Sequence, residues 1–246
     1  GVPKTIDNDL DGTEVTFGFD TALQTATDAI DRIHTTAQSH HRVMVVEVMG
    51  RYAGWLALGS GLAGGGDIIL VPEFPYDISA ICEQIKLRNS WGKKFSIIVV
   101  GEGAKPVGGE MVVSRVVANS PDAVRLGGVS NQVAAQVEGL INVESRVTIL
   151  GHLLRGGSPT ARDRLLATMF GVEAVRMVDR GETGKMVAIR DGRLSSVPIS
   201  EIAGKTRIIT PDHEWVRAAQ AIGLSLGVPD DVDLAEFAEA TAEQAR

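Results

Sequence analysis

The chain has few of the residues on which several classes of protein depend. Its 246 residues include a single cysteine, Cys82, which excludes an intramolecular disulfide or a cysteine-based zinc site and fits a reducing cytosol. No apolar run reaches the ~18–20 residues of a membrane span, and no signal peptide is recognisable. We therefore expect a cytoplasmic protein that does not associate with membranes.

Aromatic side chains and net positive charge are also scarce. Aromatics make up 4% of the residues, and the formal net charge of −7 gives no reason to expect nucleic acid as a partner. Glycine is abundant at 28 residues, and 44% of the chain is hydrophobic. Such a composition suits tightly packed α/β units with glycine-rich loops, and the length permits one large domain or two small ones.

Helical and strand-like patterns alternate along most of the chain. Helices are predicted over 17–38, 55–62, 77–90, 124–139, 159–180 and 211–222, with a short helix in the acidic tail 229–246. Strands are predicted over 43–48, 67–71, 95–100 and 146–150, with a hairpin over 184–190 and 194–199 and an irregular stretch over 104–122. This order predicts a doubly wound α/β sheet, which binds ligands beyond the carboxyl ends of its strands.

The first ten residues place a threonine and two aspartates behind a Gly-x-Pro sequence, Gly1-Val2-Pro3-Lys4-Thr5-Ile6-Asp7-Asn8-Asp9-Leu10. One carboxylate of such a pair can accept a proton from a hydroxyl, while the other lies near a metal–phosphate centre. The alternative is a polar loop made of turn-favouring Asn and Asp. Because the chain begins with Gly inside this motif, we expect a fragment or a processed form.

Polar residues follow several predicted strands. Met49-Gly50-Arg51, Glu102 and His152-x-x-Arg155 each come directly after one, where a doubly wound sheet binds its ligand. Glu102 lies between two glycines and is suited to accept hydrogen bonds from sugar hydroxyls. Its alternative role is that of an ordinary turn residue.

Four arginines lie near the ends of predicted strands, namely Arg42, Arg51, Arg146 and Arg155, and His152 adds a fifth phosphate ligand. Guanidinium groups bind phosphate oxygens in a bidentate way, so this set predicts a phosphorylated substrate. We place all four at the ligand-binding edge of the sheet. Taken singly, each could instead be a surface arginine with a buried stem.

Four motifs resemble, in order and spacing, the signature set of the 6-phosphofructokinase family. They are Pro3-Lys4-Thr5-Ile6-Asp7-Asn8-Asp9, Val48-Met49-Gly50-Arg51, Val71-Pro72-Glu73 and Gly151-His152-x-x-Arg155-Gly156-Gly157-Ser158-Pro159-Thr160, with Asp163-Arg164 behind the last. The resemblance covers residues 1 to about 226. It implies a two-domain α/β fold with mostly parallel sheets, here without the family's N-terminal nucleotide-binding segment.

The resemblance also implies a division of the chain. Residues 1–18 would end the donor-binding domain and carry the catalytic loop, and residues 19–153 would form the sugar-phosphate-binding domain. The chain would return to the donor-binding domain over 154–203, followed by a C-terminal helical region over 204–228 and the acidic tail over 229–246.

The activity implied is phosphoryl transfer from ATP to the 1-hydroxyl of fructose 6-phosphate, with Mg²⁺, giving fructose 1,6-bisphosphate in glycolysis. Asp7 would be the base, Arg51 would stabilise charge on the transferred group, and Thr5 and Asp9 would lie beside it, with Asp9 near the metal but not its main ligand. The residues implied to bind fructose 6-phosphate are Thr5, Asp7, Met49, Gly50, Arg51, Glu102, His152 and Arg155.

The family further implies shared active sites. Arg42 and Arg146 would bind the sugar phosphate of a neighbouring subunit in a homo-oligomer, either a dimer or a tetramer. Two alternatives stay open. Lys4 is typical of pyrophosphate-dependent members and of a related ATP-using group, so pyrophosphate could be the donor. Without a donor-binding segment, the chain could also be a non-catalytic sugar-phosphate-binding module.

Overall fold

A computed structural model describes residues 1–116, 124–229 and 232–244. Its strands are β1 (Lys4–Thr5), β2 (Phe17–Gly18), β3 (Val43–Val48), β4 (Ile68–Leu70), β5 (Ser96–Gly101), β6 (Val113–Val116), β7 (Val124–Leu126), β8 (Ser145–Ile149), β9 (Lys185–Arg190) and β10 (Arg193–Pro198). Its helices are α1 (Phe19–His40), α2 (Trp55–Ala63), α3 (Ile78–Ser90), α4 (Val129–Ile141), α5 (Ala161–Asp179), α6 (Ile199–Ile202), α7 (Glu214–Ala221) and α8 (Leu234–Gln244), with a 3-10 helix over Gly151–Arg155.

A four-stranded parallel sheet in the order β4-β5-β3-β8 forms the centre of the fold. Every residue of β3 and of β5 is buried, which is why their sequences are nearly continuous apolar runs. Val46 and Val48 face the core shared with α1 and α2, whereas Val43 and Val45 face the core shared with α3 and α4. Helices therefore cover both faces, which confirms the doubly wound α/β fold.

The beginning of the chain packs against segments that come much later in the sequence. β1 pairs in parallel with β2, and the antiparallel hairpin β9–β10 lies beside them. The amino group of Gly1 donates to the Lys185 carbonyl at 2.7 Å, and the Val187 amide donates to the Gly1 carbonyl at 3.0 Å. On the other side of β9, Leu166 and Phe170 of α5 pack against Val187. The proposed domain boundaries themselves stay a prediction.

The structure differs from the sequence-based prediction in the stretch between β5 and α4. The predicted irregular stretch over 104–122 and the predicted helix from 124 contain β6 and β7, which pair in antiparallel. Gly127 and Gly128 have φ values of 139° and 94°, which only glycine adopts readily, so the helix can begin only at Val129. The helix predicted over 17–38 likewise begins at Phe19, because the two residues before it form β2.

The acidic tail forms the helix that its pattern predicted. Leu234 of α8 is buried in the main core, and Phe237 packs against the same core. Over the parts of the chain that the structure describes, no helix is long and apolar enough to cross a membrane.

Candidate active site

Three strands of the central sheet deliver their following residues to one cavity of about 370 Å³. Met49 follows β3, Glu102 follows β5, and His152 lies in the 3-10 helix after β8. Because parallel strands end at the same edge, side chains that are far apart in sequence become neighbours here. The predicted convergence of these strand-end residues is confirmed.

The loops after β3 and β5 are locked together through their backbones. The Glu102 amide donates to the Val48 carbonyl at 2.9 Å, and the Gly103 amide donates to the Gly50 carbonyl at 3.1 Å. A Cβ atom on Gly103 would lie 1.9 Å from the Arg51 carbonyl oxygen, so only glycine fits. The glycine that follows Glu102 thus makes room for the neighbouring loop.

The loop that carries the two aspartates has a fixed local geometry. The Thr5 hydroxyl accepts a hydrogen bond from the Asp7 amide at 3.1 Å. Asn8 adopts the left-handed conformation with φ 56°, which Asn tolerates better than most residues. Its Oδ1 accepts a hydrogen bond from the Thr16 amide at 3.0 Å. Asn8 is also buried. Its conformation and its hydrogen bond to Thr16 together fix the turn between Asp7 and Asp9.

Asp7 has the electrostatic environment of a reactive carboxyl group. Burial raises its pKa, the negative charge of Asp9 raises it further, and the positive charges of Arg155 and Arg51 oppose both effects. Its Oδ1 is buried and has no hydrogen-bond partner among the described residues. A buried carboxylate oxygen without a partner is costly, and a hydrogen bond from a hydroxyl group of a ligand would satisfy it.

Glu102 belongs to the same electrostatic group. Burial raises its pKa, Arg51 lowers it, and the charges of Asp7 and Glu47 raise it. Arg155 contacts one of the residues that line the cavity, because its Nε donates to the Met49 Sδ at 3.4 Å. The opening loop of the chain, which carries Asp7, thus lies close to the carboxyl edge of the central sheet.

Arg42 and Arg146 do not lie at this edge, so the prediction that all four arginines share it was wrong for these two. Arg42 immediately precedes β3, and Arg146 pairs with Met44 near the start of that strand. Both form ion pairs with Glu144, the Arg42 pair at 2.8 Å. They lie at the amino edge, where a parallel sheet places residues that precede its strands.

Three residues near the cavity were missed in the sequence. Glu47 is buried within β3, where its Oε2 accepts hydrogen bonds from the Ser130 amide at 3.1 Å and the Ser130 hydroxyl at 2.5 Å. Asn131, in the first turn of α4, lines the cavity. A single acid inside a run of valines is the signal that could have pointed to Glu47, since buried carboxylates need partners.

The remaining predicted residues are placed as follows. Lys4 is exposed on β1, and Asp9 is half-buried with its pKa raised by burial. Within residues 1–116, 124–229 and 232–244, no three His, Cys, Asp or Glu side chains are grouped to hold a metal ion. Mg²⁺ often binds through one or two carboxylates plus phosphates and water, so it needs no such group of side chains. Asp9 would then lie near a phosphate-bound ion without being its main ligand.

The chain is similar to known proteins over most of its length. The family model "Phosphofructokinase" matches residues 1–178. ATP-dependent 6-phosphofructokinase 2 of Clostridium perfringens is 54% identical over 226 residues, and ATP-dependent 6-phosphofructokinase of Chloroflexus aurantiacus is 53% identical over 228 residues. Each alignment covers 92% of this chain, which spans 62% of the length of each relative.

One solved structure shows the same fold. The pyrophosphate-dependent phosphofructokinase of Marinobacter aquaeolei superposes with a TM-score of 0.72 and 23% sequence identity, covering 98% of this chain and 59% of the other. At that identity the likeness establishes the architecture alone.

Proposed function

The chain belongs to the phosphofructokinase family, and we propose that the protein transfers a phosphoryl group from ATP to the 1-hydroxyl of fructose 6-phosphate, giving fructose 1,6-bisphosphate in glycolysis. The observation that carries the proposal is the buried, unpartnered Oδ1 of Asp7 beside Arg51 and Arg155. A carboxylate oxygen in that position is suited to take the proton of an attacking hydroxyl, while the guanidinium groups stabilise negative charge.

Phosphoryl transfer depends mainly on positioning and electrostatics. In the proposed arrangement Asp7 is the general base, Arg51 stabilises charge on the transferred group, and Thr5 and Asp9 lie beside it. Thr5 also holds the Asp7 backbone through its hydroxyl.

The cavity at the carboxyl edge is the proposed sugar-phosphate site. Met49, Gly50, Glu102, His152 and Arg155 supply its contacts, Glu102 as an acceptor for sugar hydroxyls and the two cationic side chains for the phosphate. The edge position of these residues supports the assignment, because doubly wound sheets bind ligands there.

The proposed donor is ATP, because both relatives named above are called ATP-dependent. Lys4 is the proposed selectivity residue, and its exposed position at the head of the aspartate loop is compatible with contact to a donor phosphate. Mg²⁺ is the proposed metal ion, which would neutralise phosphate charge, with Asp9 nearby.

The proposed assembly is a homo-oligomer, a dimer or a tetramer with the homotetramer favoured, in which Arg42 and Arg146 reach a partner's sugar phosphate. Their position at the opposite edge of the sheet from the cavity of the same chain supports this role. The proposed location is the cytoplasm, where ATP and sugar phosphates are metabolised.

The proposal is tested with Asp7→Ser in the full-length protein. Loss of a general base should lower kcat by ~10²–10⁴ while affinity for fructose 6-phosphate stays unchanged. Asp31→Ser, at an exposed position of α1, is the matched control and should keep wild-type turnover. Each protein is assayed with ATP and with pyrophosphate.

Each outcome has a distinct meaning. Near-normal turnover of Asp7→Ser would remove Asp7 from its role. If the wild type turned over with pyrophosphate but not with ATP, the assignment of ATP as the donor would be wrong. Binding of fructose 6-phosphate without turnover from either donor would make the protein a non-catalytic sugar-phosphate-binding module.

A further inference from the structure

One arginine outside every motif described above connects the two loops of the candidate active site. Arg207 lies in the segment between α6 and α7. Its Nη1 donates a hydrogen bond to the Asn8 carbonyl at 3.1 Å, and its own amide donates to the Asp9 carbonyl at 2.8 Å. The two peptide groups that flank Asp9 are therefore held by one residue.

The same arginine is bound to the start of α2. Its guanidinium lies over the indole ring of Trp55, with Cζ 4.0 Å from the ring centroid. The Trp55 Nε1 donates to the Arg207 carbonyl at 2.9 Å, and Trp55 is 2% exposed. Stacking on a buried indole restricts a guanidinium that would otherwise have many rotamers.

Trp55 is four residues beyond Arg51, so the contact reaches the second loop of the site. Glu73 strengthens this link, because its carboxylate accepts hydrogen bonds from the Gly54 amide at 3.1 Å and the Ile209 amide at 3.0 Å. The segment around Arg207 is thus joined to the aspartate loop on one side and to the Arg51 loop on the other.

We propose that Arg207 is a positioning residue that sets the distance and orientation of Asp7 and Asp9 relative to Arg51. It contacts the carbonyl of Asn8 and the ring of Trp55, and it acts through them. The consequence for turnover rests on the proposed function, whereas the consequence for the loop itself does not.

The side chain of Arg207 can be removed without removing its backbone contacts. In Arg207→Ala the amide can still donate to the Asp9 carbonyl, so the variant tests the guanidinium alone. A misplacement of about 1 Å in a catalytic group can cost ~10²-fold in rate, so we expect kcat to fall by about that factor. The KM for fructose 6-phosphate should change less than kcat, because neither Asn8 nor Trp55, which the Arg207 side chain contacts, lines the cavity of Met49, Glu102 and His152.

Two further measurements separate positioning from general loss of structure. Added guanidinium ion should restore part of the lost kcat in Arg207→Ala by refilling the space over Trp55. Hydrogen exchange of the peptide covering residues 5–11 should be ~10–100-fold faster than in the wild type, which is the cost of losing one hydrogen bond from a charged donor. Exchange in β3 and β5 should be unchanged.

Arg217→Ala is the matched control, since Arg217 is an exposed arginine of α7 that forms an ion pair with Glu214 at 3.3 Å. It should match the wild type in turnover and in exchange. Unchanged exchange of residues 5–11 in Arg207→Ala would overturn the proposal whatever the activity. Faster exchange throughout the chain, or an equal change in kcat and KM without rescue, would also overturn it. If the wild type shows no turnover with fructose 6-phosphate, the proposed function fails while exchange still decides the role of Arg207.

Discussion

Arg42 forms an ion pair with Glu144, with 2.8 Å between the Arg42 Nε and the Glu144 Oε2. Arg146 pairs with the same carboxylate, so one acid holds both arginines at the amino edge of the central sheet. Met49, at the other end of β3, is roughly 20 Å away at the usual rise of a strand. Neither arginine can therefore act at the cavity that Met49 lines in its own chain.

Shared active sites predict complementation between defective subunits. In full-length protein, Asp7→Ser and Arg146→Ser should each be nearly inactive alone, whereas random mixed oligomers should recover about a quarter of wild-type activity. That fraction follows because one site in four combines an intact Asp7 with an intact Arg146. Activity is measured after co-expression, with differently tagged subunits to prove that hybrids form.

Co-expression of two differently tagged Asp7→Ser subunits is the control and should give no recovery. Hybrids that form but stay inactive would place Arg146 outside the site of a neighbouring subunit.

Removal of the His152 side chain should weaken binding of the sugar phosphate. A charge-assisted phosphate contact contributes roughly 1.5–3 kcal/mol, so His152→Ala should raise the KM for fructose 6-phosphate by ~10–100-fold. Steady-state kinetics measures the change, and Arg176→Ala, at an exposed position on α5, is the control. An unaltered KM in the His152 variant would contradict the placement of the sugar phosphate in this cavity.

Replacement of Glu102 should increase the stability of the fold in a pH-dependent way and weaken binding of the sugar phosphate. Folding raises its pKa by burial, so its contribution to stability is full below its unfolded pKa of about 4.3 and is lost as the pH rises through the folded value. Glu102→Gln stays neutral. Its free energy of unfolding should therefore exceed that of the wild type by an amount that grows as the pH rises from about 4.3 through the raised folded pKa of Glu102.

Urea unfolding of both proteins at several pH values measures this difference. The same substitution should raise the KM for fructose 6-phosphate, because an amide is a weaker acceptor for sugar hydroxyls than a carboxylate. Glu201→Gln, an exposed acid, should show no such trend. A stability difference that is constant across this pH range would contradict the assigned cause.

Removal of the Ser130 hydroxyl group should lower the stability of the fold. Its amide and hydroxyl satisfy the Glu47 carboxylate inside the sheet, and Ser130→Ala removes the hydroxyl partner. A poorly satisfied buried group costs about 1–3 kcal/mol, so the free energy of unfolding should fall by that amount in urea titration. Ser90→Ala, at an exposed helix end, should stay within about 0.5 kcal/mol of the wild type.

Residue patterns were enough to predict the central sheet and its binding edge. The valine-rich run before Met49 is typical of a buried parallel strand, and the rule for parallel sheets then places Met49, Glu102 and His152 together. The same rule also separates Arg42 and Arg146 from them, because these arginines come at the starts of strands. The error lay in treating both kinds of strand end alike.

Other features could not be predicted because nothing local encodes them. The contact between Arg207 and Asn8 joins residues 199 positions apart, and the segment around Arg207 has no helical or strand periodicity. The antiparallel pair of β6 and β7 lies among glycines and prolines, whose turn signals hide short strands. The convergence of Glu47 with Ser130 depends on which helix covers the sheet, which is a tertiary property.

The late partners of the opening loop also determine when it can become ordered during synthesis. Its contacts with Thr16 and Phe17 can form early, whereas those with Lys185 and Arg207 require residues that are 184 and 199 positions further along. At ~5–20 residues per second, a ribosome needs roughly 10–40 s to reach them. The nascent chain can therefore assemble its sheet before the aspartate loop has its anchors, and Asp7 acquires its final surroundings only after Arg207 has been synthesised.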